Sequence, residues 1–125
     1  MIIAFLLGLI AITAAIIRKR KSLDLTLEWL VSYIKNRIAK SKGKKVVFAE
    51  IRELIDDDVK EKINYSESIS VTELEKLCDE TPYVSAIYDE ENDTVYDYEG
   101  FQKKSKDAQF EEKMKENDGM IIVTA

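Results

Sequence analysis

Met1-Ile-Ile-Ala-Phe-Leu-Leu-Gly-Leu-Ile-Ala-Ile-Thr-Ala-Ala-Ile-Ile17 runs without a break into Arg18-Lys19-Arg20-Lys21. Residues 1–17 carry no charged side chain, and Thr13 is their one polar group. As a helix rising about 1.5 Å per residue they would reach roughly 25 Å, the short end of what crosses a bilayer core. Arg18, Lys19, Arg20 and Lys21 would then sit at the membrane interface, their stems snorkelling toward the headgroups. The positive-inside rule keeps such a cluster in the cytoplasm and puts only the chain start outside. The pattern therefore predicts a single-pass transmembrane anchor over 1–17, a basic juxtamembrane collar over 18–22 and a cytoplasmic C-terminal domain. Two other readings compete. A signal peptide, with Thr13-Ala14-Ala15 as a weak cleavage site, would want its positive charge before the apolar run. A buried core helix fits on length alone.

Working outward, the net charge of −5 divides unevenly along the chain. Residues 18–46 hold ten Lys or Arg against Asp24 and Glu28, a local net of +8; residues 47–125 hold nine against 22 acids, a local net of −13. There is no His, and Cys78 stands alone, which removes the commonest general base, an intrachain disulfide and any multi-cysteine zinc site. No Gly-rich phosphate loop and no nucleophile–base pair is present, so the composition argues against an enzyme and calls for no cofactor or metal.

Leu23, Leu27, Leu30, Ile34 and Ile38 recur at helical spacing and predict an amphipathic helix over 23–41, capped by Ser22 or Asp24. Trp29, Val31 and Tyr33 widen its apolar stripe, as core residues or as interfacial rings. Lys45-Val-Val-Phe48 reads as a short strand. Residues 48–63 read as one bent helix or two short ones, with Asp56-Asp57-Asp58 starting the second turn. Ser70-Val-Thr-Glu73 is a capping box with Ile69 and Leu74 as its hydrophobic staple, opening a helix that must stop before Pro82. Cys78 falls inside it as a small core residue. Tyr83–Tyr88 and Thr94–Tyr98, rich in aromatic and β-branched residues around the polar loop 89–93, read as a β-hairpin. That loop is no EF-hand, because Thr94 and Gly100 stand where Gly and Glu are required. Residues 101–118 read as a solvated helix or disordered tail. Met120-Ile-Ile-Val123 reads as a strand that joins the hairpin or docks on a partner.

Helix, short strand, helix, helix and hairpin is the element order of a winged helix, and residues 23–99 resemble that superfamily, with 71–79 as its third helix and 89–93 as its wing tip. The resemblance implies a small domain of three helices plus a β-hairpin over 23–99, and with the transmembrane helix before it and a charged tail over 100–125 the chain is expected to be α+β. It also implies DNA binding or protein binding. The third helix carries Glu73, Glu75 and Asp79 against Lys76, and the wing tip carries Asp89, Glu90, Glu91 and Asp93. Those acids would repel phosphates, which supply most of the affinity in nucleic-acid complexes. The expectation is therefore a membrane-tethered adaptor that presents Glu73, Glu75, Asp89, Glu90, Glu91 and Asp93 to a cytoplasmic protein partner. The alternative is a membrane anchor for DNA or RNA that uses the basic first helix through Lys35, Arg37 and Lys42, the lipid bilayer being a partner in both.

Overall fold

The computed structural model describes residues 2–55, 57–64 and 71–124. Five strands form one sheet: β1 (Lys21–Leu25), β2 (Lys45–Glu50), β3 (Tyr83–Asp89), β4 (Thr94–Lys106) and β5 (Met120–Thr124). Their order is β1-β4-β3-β2-β5. β1 runs parallel to β4 and every other pairing is antiparallel. The helices are α1 (Ile2–Ala11), α2 (Thr13–Lys19), α3 (Leu27–Lys40), α4 (Ile51–Leu54), α5 (Asp57–Asn64), α6 (Val71–Glu80) and α7 (Ala108–Glu116).

Both faces of the central strands are covered. On one face Val47, Ala49, Val84 and Ala86 pack with Phe5, Leu6, Leu9 and Ile16 of α1–α2, and with Ile51, Leu54, Val59, Leu77 and Cys78. On the other, Phe48, Tyr83 and Phe101 pack with Leu30 of α3, Phe110 and Met114 of α7, and Ile121. Phe48 is the hub of the second cluster, with the rings of Trp29, Tyr33, Tyr83, Phe101 and Phe110 all within 6.2 Å of its own.

The structure overturns the transmembrane anchor. Among the described residues no helix is long and apolar enough to cross a membrane. The apolar run breaks at Ile12, where the backbone leaves helical geometry and α2 begins at Thr13. Two short helices result, and their Phe5, Leu6, Leu9 and Ile16 are buried against the sheet. The close fit is visible in two glycines. A Cβ on Gly8 would lie 2.4 Å from the Tyr98 hydroxyl, which donates a 2.8 Å hydrogen bond to the Phe5 carbonyl. A Cβ on Gly100 would lie 2.7 Å from Ile16 Cγ2 and 2.4 Å from Thr81 Cγ2. The single-pass topology, with its outside N-terminus and cytoplasmic domain, falls with the anchor.

The small winged-helix-like arrangement of three helices and a hairpin is likewise replaced by the five-stranded sheet. The first helix starts at Leu27 and not near residue 23. Leu23 and Leu25 share one face at strand spacing and pair with β4, and the Thr26 side chain then caps α3 by accepting from the Trp29 amide at 3.0 Å. Residues 48–63 divide into the end of β2, α4 and α5, with Asp57 and Asp58 in the first turn of α5. Helix α6 stops at Glu80, before Pro82. Ile69 and Ser70 of its staple and capping box lie outside the described residues, as do the side chains of Glu73 and Leu74.

The hairpin is present, but its second strand continues to Lys106. The expected solvated tail also contributes α7, which is capped by Asp107 accepting from the Phe110 amide at 2.7 Å and buries Phe110 and Met114. Residues 120–124 join the sheet beside β2, not beside the hairpin.

If α1 and α2 are integral cover, Phe5→Ala should cost about 3–5 kcal/mol in a denaturant melt of the full chain. Gly100→Val should also destabilise, and Ile16→Ala should partly restore it, because the new methyls occupy the space vacated by Ile16. Additive effects of Gly100→Val and Ile16→Ala would contradict the contact.

Candidate functional site

Three surface features bear on function, and the first is a buried arginine. Arg37 leaves the third turn of α3 and crosses to the hairpin with only 7% of its side chain exposed. Nη1 donates to Ser85 Oγ at 2.7 Å, and Ser85 in turn donates to the Val47 carbonyl at 2.8 Å. Nη2 donates to the Asp97 carbonyl and lies 3.2 Å from the Asp97 carboxylate. Nε lies 3.5 Å from Glu99, and the guanidinium sits over the Tyr33 ring at 5.9 Å. Burial pushes the Tyr33 phenol up to about 12.

Opposite Ala86, β4 places two residues, Asp97 and Tyr98, making a bulge in which Asp97 adopts φ 56°. Aspartate tolerates that left-handed conformation better than most residues do. Bulges re-aim side chains and recur beside binding sites. Here the bulge is held by Arg37 through both its carbonyl and its carboxylate. It forms one wall of a cleft of about 610 Å³ whose other wall is the end of α3 and the turn after it.

The acidic turn is the second feature. Asp89, Glu90, Glu91 and Asp93 are together on the β3–β4 turn, as the sequence suggested, yet the surface is less bare of cations than it reads. The α3–β2 turn brings Lys44 to within 3.1 Å of Asp89 and Lys45 to within 2.8 Å of Glu90. Asn92 and then Lys44 hydrogen-bond the Asp89 carboxylate and hold it below the usual range, while Asp89 raises Lys44. Tyr88 donates to Asp93 at 2.8 Å. Glu91 is exposed and has no ion pair among the described residues.

Glu75 is exposed on α6, whose Leu77 and Cys78 pack in the aliphatic cluster. The Glu73 side chain lies outside the described residues. The four cations of the collar also separate. Arg18 and Lys19 are exposed, Arg20 bonds Gln102, the Ile17 carbonyl and Glu80, and Lys21 begins β1 beside Glu99. Cys78 is buried, and burial pushes its thiol up to about 11, away from thiolate chemistry.

The third feature is the contrast between the two sheet edges. β1 carries Lys21 and Asp24 and shifts register between Leu23 and Asp24, devices that blunt an edge. β5 is Met-Ile-Ile-Val-Thr with no charge, no proline and no bulge, and Ile122 is 46% exposed. The two ends of β5 differ in charge. Glu50, Glu53, Glu111 and Asp118 outnumber Lys106 and Lys115 in a cleft by Gly119, where burial and then Glu53 raise the Glu50 carboxyl. At the other end Asp89, Glu90 and Glu91 line a cleft with Thr124 and are balanced there by Lys42, Lys44 and Lys45.

No family model matches the chain, no curated protein is found similar to it, and no solved structure is found similar to it.

The Arg37 clasp should be a stability element. Arg37→Met should cost about 1.5–3 kcal/mol, the scale of hydrogen bonds to charged groups, because Asp97 is 67% exposed and can rehydrate. Lys35→Met, on the exposed side of the same helix, should stay within about 0.5 kcal/mol. Equal melting of the two variants would contradict the clasp.

Proposed function

We propose that this protein is a non-enzymatic interaction module, an adaptor whose partner lays an extended segment along the free edge of β5. The observation that carries this reading is an edge strand with exposed Ile122 that no further strand covers among the described residues. Backbone donors and acceptors at a sheet edge beside an apolar side chain are what strand addition uses, the main chain giving affinity and alternate side chains giving specificity. The acid excess by Gly119 defines the partner further: an apolar, β-prone stretch with Lys or Arg at the end that passes Met120. Glu91, exposed and with no ion pair among the described residues, keeps the β3–β4 turn as a recognition element.

A nucleic-acid ligand for the first helix is weakened by Arg37. One of the three cations such a ligand would use is buried and committed to Asp97 and Glu99.

Selection of binders from a random peptide library against the full chain tests the proposal. Recovered peptides should alternate apolar residues beside one basic flank, and they should raise amide-exchange protection along β5. Ile122→Lys should weaken them by about tenfold or more, the loss of one well-buried contact. Peptides indifferent to Ile122→Lys, or a chain that sediments as a dimer dissociated by Ile122→Lys, would overturn it.

A further inference from the structure

The cleft beside the Arg37 clasp shares Lys42 and Lys44 with the cleft by Thr124 and has features that the clasp does not use. Its walls carry Lys21, Arg37, Lys40, Lys42 and Lys44 against Asp97 and Glu99, an excess of positive charge in a chain of net charge −5. Arg37 and Lys21 are matched by the two acids, and Lys44 reaches Asp89. Lys40 and Lys42 have no ion pair among the described residues. A cation in the last turn of a helix is ordinarily there to balance the helix dipole, and that accounts for Lys40. It does not account for Lys42, which lies beyond the helix end at φ 48°.

The second unexplained group is aromatic. Tyr33 is committed, its ring stacked on Trp29 at 5.1 Å and covered by Arg37. Tyr96 belongs to neither core cluster, is 42% exposed and lines the same cleft. An open ring in the same cleft as two lysines offers a stacking platform beside charge-assisted donors.

We infer that the cleft between the end of α3 and the bulged β4 binds a small phosphorylated ligand carrying an aromatic base, a nucleoside phosphate. Tyr96 stacks on the base, Lys40 and Lys42 donate to the phosphates, and Asn36 and Ser41 supply neutral polar contacts. The volume of about 610 Å³ is in the range of a ligand of this size. A polymer is the poorer fit. Beyond Lys44 the cleft meets Asp89, Glu90, Glu91 and Asp93, which would repel a continuing phosphate backbone.

Calorimetric titration of the full chain with ATP, with pyrophosphate and with a single-stranded RNA oligonucleotide tests the inference. ATP should bind in the micromolar range and weaken as salt rises. The double substitution Lys40→Glu/Lys42→Glu should weaken both ATP and pyrophosphate by about tenfold or more. Tyr96→Ala should weaken ATP and leave pyrophosphate unchanged. Lys35→Glu, on the same helix outside the cleft, should change neither. Absence of saturable binding by ATP, binding indifferent to Lys40→Glu/Lys42→Glu or to Tyr96→Ala, or RNA binding that ATP does not displace would overturn the inference.

Discussion

Strands β2 and β3 are buried on both faces, and a sheet buried on both faces needs apolar cover on each side. Val47, Val84 and Ala86 point one way while Phe48 and Tyr83 point the other, and none of these side chains reaches water. At about 25 cal/mol per Å² of apolar surface, leaving either layer open would remove a large share of the driving force for folding. The aromatic layer is supplied by α3 and α7, from the chain on either side of the hairpin. The aliphatic layer is supplied by α4 to α6 and by the N-terminal helices. Phe5, Leu6, Leu9 and Ile16 serve this purpose, and the Tyr98 hydroxyl that lies between α1 and the sheet is hydrogen-bonded to the Phe5 carbonyl. Gly8 and Gly100 let the backbones come close enough to do it.

That packing also places the surface features. With both faces covered, the sheet among the described residues can still form backbone hydrogen bonds at its two edges, and β1 is blunted by its charges and its register shift. β5 is the edge without such devices. Arg37 acts at the other side of the same sheet. It fixes α3 to β3 and β4, holds the bulge at Asp97, and so sets the distance between the end of the helix and the hairpin. The cleft is the space that this distance leaves.

Much of the local structure was legible in the sequence, and the long-range arrangement was not. The hairpin, the helix ending before Pro82, the short strand after Gly43 and the burial of Cys78 follow from neighbouring residues. The N-terminal run misleads because seventeen apolar residues lie at the length where a membrane span and a core helix are equally satisfied. The deciding signal lay elsewhere: Tyr83-Val-Ser-Ala-Ile-Tyr88 lacks the polar alternation of a half-exposed hairpin strand, as strands covered on both sides do. Residues 101–118 mislead for the opposite reason. Phe110 and Met114 alone anchor α7, and two apolar residues four apart are hard to see among charges. Within the site, the acidic turn was visible, but Lys44 and Lys45 reach it only through β2–β3 pairing. Arg37 read as one more cation on a basic helix, since nothing in its neighbourhood marks a side chain bound for residues sixty positions away.

The central claim is that the N-terminal helices are part of the fold's core cover. Amide hydrogen exchange, compared between the full chain and its Phe5→Asp variant, tests it most directly. The account predicts that β3 amides, Val84 and Ala86 among them, exchange only through global opening in the parent and lose protection together with α1 in the variant. Protection of β3 that is unchanged while α1 alone opens would contradict it.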